Sequence, residues 1–211
     1  MEEKNANNGK KQVKKKSVAR EILEWVLTIV AAVVIALPIR AFAFEMVRVN
    51  GESMNSTLAN GEIMFVTKFD YASTWLSLPW QDDKTKEQAA RITTGGNPKR
   101  FDVVVCRYPG RGDTNFVKRV VGLPGDTVEV KDGYLYVNGE KYDEPYIKDE
   151  YRSGRLNNFG PYEVPEGEYF VMGDHRNNSN DSRMQGSLPR NMIIGHARVV
   201  LFPFGEMRGI E

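Results

Sequence analysis

Hydrophobic residues are distributed along this chain in two different ways. From Trp25 to Ile39 they form one nearly continuous run, in which Thr28 is the only polar side chain. Beyond residue 44 they come in short runs, several of which alternate with polar residues and are bounded by glycine, asparagine or aspartate. A long apolar run is typical of a helix, whereas short runs between turn residues are typical of strands. The pattern therefore predicts one N-terminal helix followed by a β domain.

The β domain is predicted from a series of such short runs. Asp132-Gly133 joins two alternating runs, which is a strong signal for a tight hairpin. Almost no segment after Phe44 repeats with helical spacing. We therefore expect a mainly β fold of antiparallel sheets that are partly closed or packed against each other. The predicted strands are Val47–Val49, Ile63–Val66, Asp102–Arg107, Phe116–Val121, Thr127–Lys131, Tyr134–Val137, Tyr169–Met172 and Ile193–Phe202.

The N-terminal apolar run predicts a transmembrane helix over residues 22–44. These 23 residues exceed the roughly 20 that a helix needs to cross the hydrocarbon core of a bilayer. Seven Lys or Arg but only two Glu occupy residues 1–20, and a basic segment of this kind stays in the cytoplasm. The same order of features, ending in Ala41-Phe42-Ala43, is also typical of a cleavable secretory signal, so removal of the segment stays open.

Three regions follow from this interpretation. Residues 1–21 are expected to be a disordered basic cytoplasmic tail, and residues 22–44 a single-pass anchor in the cell membrane. Residues 45–211 are expected to form the β domain on the extracytoplasmic side.

Composition excludes several classes of function. Cys106 is the one cysteine of the chain, and His175 and His196 are its two histidines. A disulfide framework, a zinc ribbon and a three-histidine metal site within one chain are therefore excluded. Beyond the first 20 residues the chain carries 22 basic and 26 acidic side chains, so it lacks the basic bias of a nucleic-acid-binding protein.

Three polar segments occur where chemistry is possible. Ser53 follows a glycine turn after a predicted strand, although an ordinary turn serine would look the same. Lys118 and Arg119 lie within an apolar strand, where alternation directs one of them towards apolar neighbours, unless the strand is an edge with both in water. Burial disfavours the ammonium form and lowers the pKa of a lysine. Residues 173–183 form a polar loop directly after a strand, for which a solvated surface loop is the plain alternative.

Taken together, these segments resemble type I signal peptidases, the membrane-anchored Ser/Lys proteases, in the small form found in Gram-positive bacteria. The motifs occur in the order typical of that family, and four motifs in order are far more specific than one. The matching pieces after the N-terminal apolar segment are Gly51-Glu52-Ser53-Met54 with Thr57-Leu58, Asp102-Val103-Val104-Val105, Lys118-Arg119 with Gly122-Leu123-Pro124-Gly125-Asp126, and Gly173-Asp174 with Asn178-Ser179 and Asp181-Ser182-Arg183.

The resemblance implies a signal-peptidase-like β domain that works as a serine endopeptidase through an acyl-enzyme. Ser53 would be the nucleophile, its backbone N–H an oxyanion donor, and Lys118 the general base. At an ordinary pKa of about 10.4, only about 0.04% of a lysine is neutral at pH 7, so a lysine base needs apolar surroundings. Ser179 would orient Lys118 through a hydrogen bond.

The resemblance also implies the surroundings of this dyad and its substrate class. Asp181 and Arg183 would brace the loop that carries the orienting serine, and Met54 would line the substrate cleft. A second oxyanion donor is not assigned, because Gly51 stands where some members have a hydroxyl. The substrates would be exported preproteins with Ala-x-Ala-type cleavage sites, processed at the lipid bilayer. Neither a metal nor an organic cofactor is implied, and no nucleic acid is an expected partner.

Departures from the family pattern leave the nucleophile and the base in place. The family usually has proline at Ser56, asparagine at His175, and aromatic residues at Met184 and Gln185. Two other functions remain as alternatives. A sortase-like transpeptidase would use Cys106, which lacks the Thr-Leu-x-Thr-Cys pattern of sortases, and a membrane-tethered β adaptor would have no catalytic activity.

Overall fold

The chain divides into two units, residues 1–38 and residues 39–211. The computed structural model describes residues 18–71, 73–75, 91–93, 96–112, 114–154 and 156–210. The predicted tail at 1–21 therefore lies largely outside the described residues.

The N-terminal apolar run forms helix α1, Val18–Phe42. Its large apolar side chains are exposed, with 57% of Leu23 and 71% of Trp25 accessible to solvent. Within the described part of the chain, no helix combines the length and the apolar character that crossing a membrane requires. The prediction of a transmembrane helix over 22–44 is thus not supported, and Phe44 begins a strand instead.

The described residues after α1 form short strands and very little helix. A four-residue helix, α2 (Ser182–Gln185), lies between β11 and β12, and 3-10 turns cover Asp149–Tyr151, Arg190–Met192 and Phe204–Glu206. The strands are β1 (Phe44–Arg48), β2 (Ile63–Thr67), β3 (Ser73–Trp75), β4 (Arg91–Thr93), β5 (Val103–Cys106), β6 (Phe116–Gly122), β7 (Thr127–Lys131), β8 (Tyr134–Val137), β9 (Glu140–Lys141), β10 (Phe159–Glu163), β11 (Glu168–Met172), β12 (Leu188–Pro189), β13 (Ile193–Phe202) and β14 (Arg208–Gly209).

Most of these strands belong to one antiparallel sheet with the order β1-β2-β13-β5-β6-β11-β12, in which β14 also pairs with β13. The ten residues of β13 let it pair with both β2 and β5. β6 therefore lies inside the sheet, between β5 and β11. Both basic residues of β6, which alternation places on opposite faces of the sheet, are buried.

A second antiparallel sheet has the order β10-β7-β8-β9, and β3 pairs with β4 as a separate hairpin. The predicted turn between β7 and β8 is confirmed: Asp132 and Gly133 have φ angles of 51° and 81°. Positive φ at both central residues gives the turn the twist that matches its flanking strands. Glycine is further required here because a Cβ at Gly133 would collide with the backbone of Arg152.

The hydrophobic core follows the alternation of the strands. On β5, Val103 and Val105 face one apolar cluster, whereas Val104 and Cys106 face another on the opposite side of the sheet. A third cluster joins the second sheet to residues of β6 and β11. Met54 and Leu58, which follow β1 in the chain, belong to the first cluster and are almost fully buried.

The predicted mainly β class and the eight predicted strands are confirmed, apart from shifts of a few residues at their ends. The sequence did not indicate β10, because Gly160 and Pro161 interrupt it. It did not indicate the two-residue strands β9, β12 and β14 either, because they are too short to show a period.

Candidate active site

Ser53 lies in a tight turn that the core holds in place. Asn55 donates its backbone N–H to the carbonyl of Glu52, and Leu58 donates to that of Met54. Met54 is only 1% exposed, so the residue next to Ser53 is anchored in the first apolar cluster. Met54 also contributes to the wall of the cleft beside Ser53.

Lys118 reaches this serine from the middle of β6. Its Nζ lies 2.7 Å from Ser53 Oγ and 2.9 Å from the carbonyl oxygen of Val117. The side chain is 2% exposed, and no carboxylate in the described part of the chain hydrogen-bonds the amine. Burial lowers the pKa of Lys118 below its ordinary value, against a smaller opposing effect of the carboxylates of Asp181 and Asp174. The geometry therefore places a poorly hydrated amine within hydrogen-bonding distance of a hydroxyl.

The loop after β11 lies against the Ser53 turn. A Cβ at Gly173 would collide with the backbone carbonyl of Ser53 and with the side chain of Ser179, so this close approach requires glycine. The Ser179 hydroxyl is buried beside this contact, but it does not make the predicted hydrogen bond to Lys118. It lies instead near Asp181, where it contributes to the low pKa of that carboxyl.

Asp181 and Arg183 form the predicted ion pair. Arg183 Nη2 and Nε donate to the two carboxylate oxygens at 2.8 and 2.9 Å, and both side chains are buried. Burial alone would raise the pKa of Asp181, but the hydrogen bonds and charge of Arg183 lower it below its ordinary value. Asp181 also accepts the N–H of Gly173, and Arg183 donates to the carbonyl of Arg176. The pair thus ties both ends of the loop together.

A second buried ion pair was missed by the sequence analysis. Arg119, which is 0% exposed, donates to both oxygens of Asp174 at 2.8 to 3.3 Å. Thr57, four residues after the serine, donates its hydroxyl to the same carboxylate at 2.5 Å. The arginine also stacks on the ring of Tyr146 at 3.8 Å. The alternative of an edge strand with both basic residues in water is therefore wrong. The sequence signal for this ion pair was a second basic residue, Arg119, directly after Lys118 in an apolar strand.

A cleft of about 390 Å³ opens beside the dyad. One wall comes from the end of β1 and the residues after it, and the other from the start of β6. Ser53 and Lys118 lie on its surface. The lining residues are Val47, Arg48, Val49, Asn50, Gly51, Ser53, Met54, Thr114, Asn115, Phe116, Val117 and Lys118.

None of the departures from the family pattern replaces Ser53 or Lys118. Ser56 accepts the backbone N–H of Lys148 at 3.5 Å, and Gln185 donates to Asn180 at 2.8 Å. Met184 is 53% exposed and contributes nothing to the core. His175 contacts the turn that carries Ser53.

Cys106 is poorly suited to a nucleophilic role. It is fully buried in the second apolar cluster, and burial raises the pKa of its thiol to about 12. The reactive form of cysteine is the thiolate, which such a pKa suppresses. Cys106 therefore packs in the core as a small hydrophobic residue.

Comparisons with known proteins agree with these motifs. The family model described as signal peptidase, peptidase S26, matches residues 22–202. Signal peptidase I T of Bacillus subtilis (strain 168) is 41% identical over 217 aligned positions, covering 98% of this chain and 97% of that protein. Signal peptidase I of Bacillus licheniformis is 40% identical over 194 positions, covering 89% and 92%. A crystal structure of a signal peptidase I from Enterococcus faecalis V583 is 36% identical and covers 48% of this chain and 97% of that one, with a TM-score of 0.42. Because of the family-model match and the identities to the two Bacillus proteins, the chain belongs to the signal peptidase family, peptidase S26.

Proposed function

We propose that this protein is a serine endopeptidase that removes N-terminal signal peptides from exported preproteins with a Ser53/Lys118 dyad. The family membership supports the reaction and the substrate class. The single observation that carries the residue assignment is the buried Lys118 amine, 2.7 Å from Ser53 Oγ. Because the pKa of that amine is lowered, a larger fraction of it is neutral than of an exposed lysine, which supports its role as a base.

The proposed reaction proceeds through an acyl-enzyme. Neutral Lys118 takes the proton of Ser53 as Oγ attacks the scissile carbonyl, and the negative charge that develops on the carbonyl oxygen is stabilised by the Ser53 backbone N–H. The ammonium then gives its proton to the departing amine, which leaves an ester on Ser53. A water molecule, deprotonated by Lys118, hydrolyses that ester and restores the dyad. Within the described residues, no protein acceptor takes the Ser53 N–H, so it is available for this role.

We assign supporting roles to the loop after β11. The Asp181–Arg183 pair braces this loop, because its hydrogen bonds join Gly173 to Arg176. Ser179 then orients the site by packing beside Gly173 at the Ser53 turn, and not by a hydrogen bond to the lysine.

The preprotein is proposed to bind as an extended strand in the cleft between the end of β1 and the start of β6. Backbone groups at strand ends can pair with such a segment. The family resemblance favours small residues in an Ala-x-Ala arrangement before the cut. A volume of about 390 Å³ is compatible with small side chains close to the serine.

We also propose that α1 attaches the protein to the cell membrane, with the N-terminus in the cytoplasm and residues 45–211 outside. The exposed apolar side chains of α1 support attachment, and the lysines before it favour this orientation. Protease added to intact protoplasts should digest the β domain and spare an N-terminal epitope tag. Digestion of the tag, or recovery of the protein in the soluble fraction, would contradict this arrangement.

The dyad is tested with full-length protein in detergent and a purified preprotein. Ser53→Ala and Lys118→Met should each abolish cleavage, while Ser56→Ala, three residues after Ser53, serves as the matched serine control and should cut. Cys106→Ala, which fits the apolar cluster around this residue, should keep activity, whereas a sortase-like enzyme would lose it. Equal behaviour of wild type and Ser53→Ala, with no product from either, would instead favour the non-catalytic adaptor.

A further inference from the structure

His175 contacts the backbone on both sides of the Ser53 α-carbon. Its ring Nδ1 lies 3.0 Å from the carbonyl oxygen of Glu52, and its own backbone N–H donates to the carbonyl of Ser53 at 3.0 Å. A carbonyl oxygen only accepts hydrogen bonds, so Nδ1 carries the proton. One residue of the loop after β11 thus holds two consecutive peptide groups of the turn.

Holding the Glu52 carbonyl also fixes the direction of the Ser53 N–H. The two groups belong to one planar trans peptide and point in opposite directions. The Ser53 N–H is therefore directed away from the His175 ring, and it has no acceptor among the described residues. The same carbonyl accepts the N–H of Asn55 at 3.0 Å, so the turn keeps one bond of its own and receives the second from His175.

The ring of His175 is itself held in place. It packs against the ring of Tyr151, with centroids 3.9 Å apart. Asn178, from the same loop, donates to the Glu52 carboxylate at 3.3 Å. The loop therefore contacts residues 52 and 53 through side chains as well as backbone. The imidazole of His175 makes the contact with the Glu52–Ser53 peptide, whose N–H is the proposed oxyanion donor.

We propose that His175 is a positioning residue for acyl transfer: its ring N–H fixes the Glu52–Ser53 peptide so that the Ser53 N–H is aimed at the oxyanion before substrate arrives. This inference rests on the proposed function. An N–H that already points at the oxyanion position need not reorient as negative charge develops there. A misaligned N–H must first reorient, and this lowers the rate of the chemical step. His175 touches no reacting atom, so it acts on kcat through the backbone of its neighbour.

Two substitutions separate the ring N–H from the ring itself. His175→Phe keeps an aromatic face for Tyr151 but has no donor, whereas His175→Asn loses the ring and places an amide N–H near the position of Nδ1. With full-length protein in detergent, His175→Phe should lower kcat about tenfold and leave KM within about twofold, a smaller loss than removing an oxyanion donor outright. His175→Asn should stay within about threefold of wild-type kcat. Wild-type kcat in His175→Phe, an equal loss in both variants, or a loss confined to KM would each overturn the proposal.

A second measurement does not depend on activity. In protein labelled with ¹⁵N-histidine, the neutral ring of His175 should carry its proton on Nδ1 at about pH 9, with the His175→Phe spectrum assigning the signals. A proton on Nε2 would overturn the proposal even if the enzyme is active. If the wild-type chain cuts no preprotein, the proposed function fails, and the tautomer still decides whether His175 holds the Glu52 carbonyl.

Discussion

Replacing Lys118 by methionine is expected to change how the stability of the protein depends on pH. Methionine has a similar length and fits an apolar site, but it cannot take up a proton. Lys118 is 2% exposed, and burial lowers its pKa. The same burial that suits a general base therefore makes the protonated side chain unfavourable in the folded state.

The sign and the size of the effect follow from proton linkage. The unfolded chain keeps the lysine proton up to a pKa of about 10.4, whereas the folded chain releases it at lower pH. Between those two values the unfolded state binds one more proton, so the free energy of unfolding rises with pH, by at most about 1.4 kcal/mol per pH unit. Below the folded pKa both states are protonated, and the destabilisation is complete. Lys118→Met lacks this dependence.

The substitution also removes the two hydrogen bonds of Nζ, to Ser53 Oγ and to the Val117 carbonyl. Their loss costs about 1 kcal/mol each and hardly changes with pH. The stability difference between variant and wild type should therefore favour the variant most at neutral pH and shift towards wild type as the pH approaches about 10.4.

Urea unfolding of both proteins in the same detergent, followed by near-ultraviolet circular dichroism from about pH 7 to about pH 10.5, measures this difference. The other titratable groups are common to both proteins, so their contributions largely cancel. A difference that stays constant across this range would show that the amine ionises as an exposed lysine does. The argument for a neutral base at Lys118 would then fail, whatever the activity of the variant.

Three further results are expected. The cleavage rate of wild type should rise as Lys118 loses its proton, tenfold per pH unit below the lowered pKa and levelling off above it; a flat profile from about pH 6 to about pH 9 with chemistry rate-limiting would contradict a lysine base. Gly173→Ala should push the loop away from the Ser53 carbonyl, costing about 1–3 kcal/mol in urea unfolding and lowering kcat at least tenfold; unchanged kcat would mean that the loop position is unimportant. Glu144→Gln should leave the buried Arg176 without its charge partner and cost about 3–5 kcal/mol of stability, whereas a change below about 1 kcal/mol would show that water reaches the pair.

The sequence predicted the elements of the site better than its contacts. The strands follow from local alternation, which can be read along the chain, whereas the Ser53/Lys118 pairing was implied by the resemblance to type I signal peptidases. The position of Ser179 does not, because its hydroxyl is set by the packing of Gly173 against the Ser53 turn. The predicted anchor at 22–44 extends two residues beyond the helix, which ends at Phe42, because Phe44 already belongs to the sheet.

The two adjacent basic residues of β6 show why partners, and not burial alone, decide what a charged side chain can do. Lys118 and Arg119 are equally buried on opposite sides of the strand. Arg119 donates hydrogen bonds from two nitrogens to the two carboxylate oxygens of Asp174. The negative charge of this carboxylate compensates the guanidinium, which stays positively charged in proteins. Lys118 Nζ hydrogen-bonds a hydroxyl and a carbonyl, and no carboxylate among the described residues hydrogen-bonds it, so its proton is held less firmly. The alternation of the sequence placed both residues in the same strand, but Asp174 lies more than fifty residues further along the chain, and only the fold shows which of the two neighbours it joins.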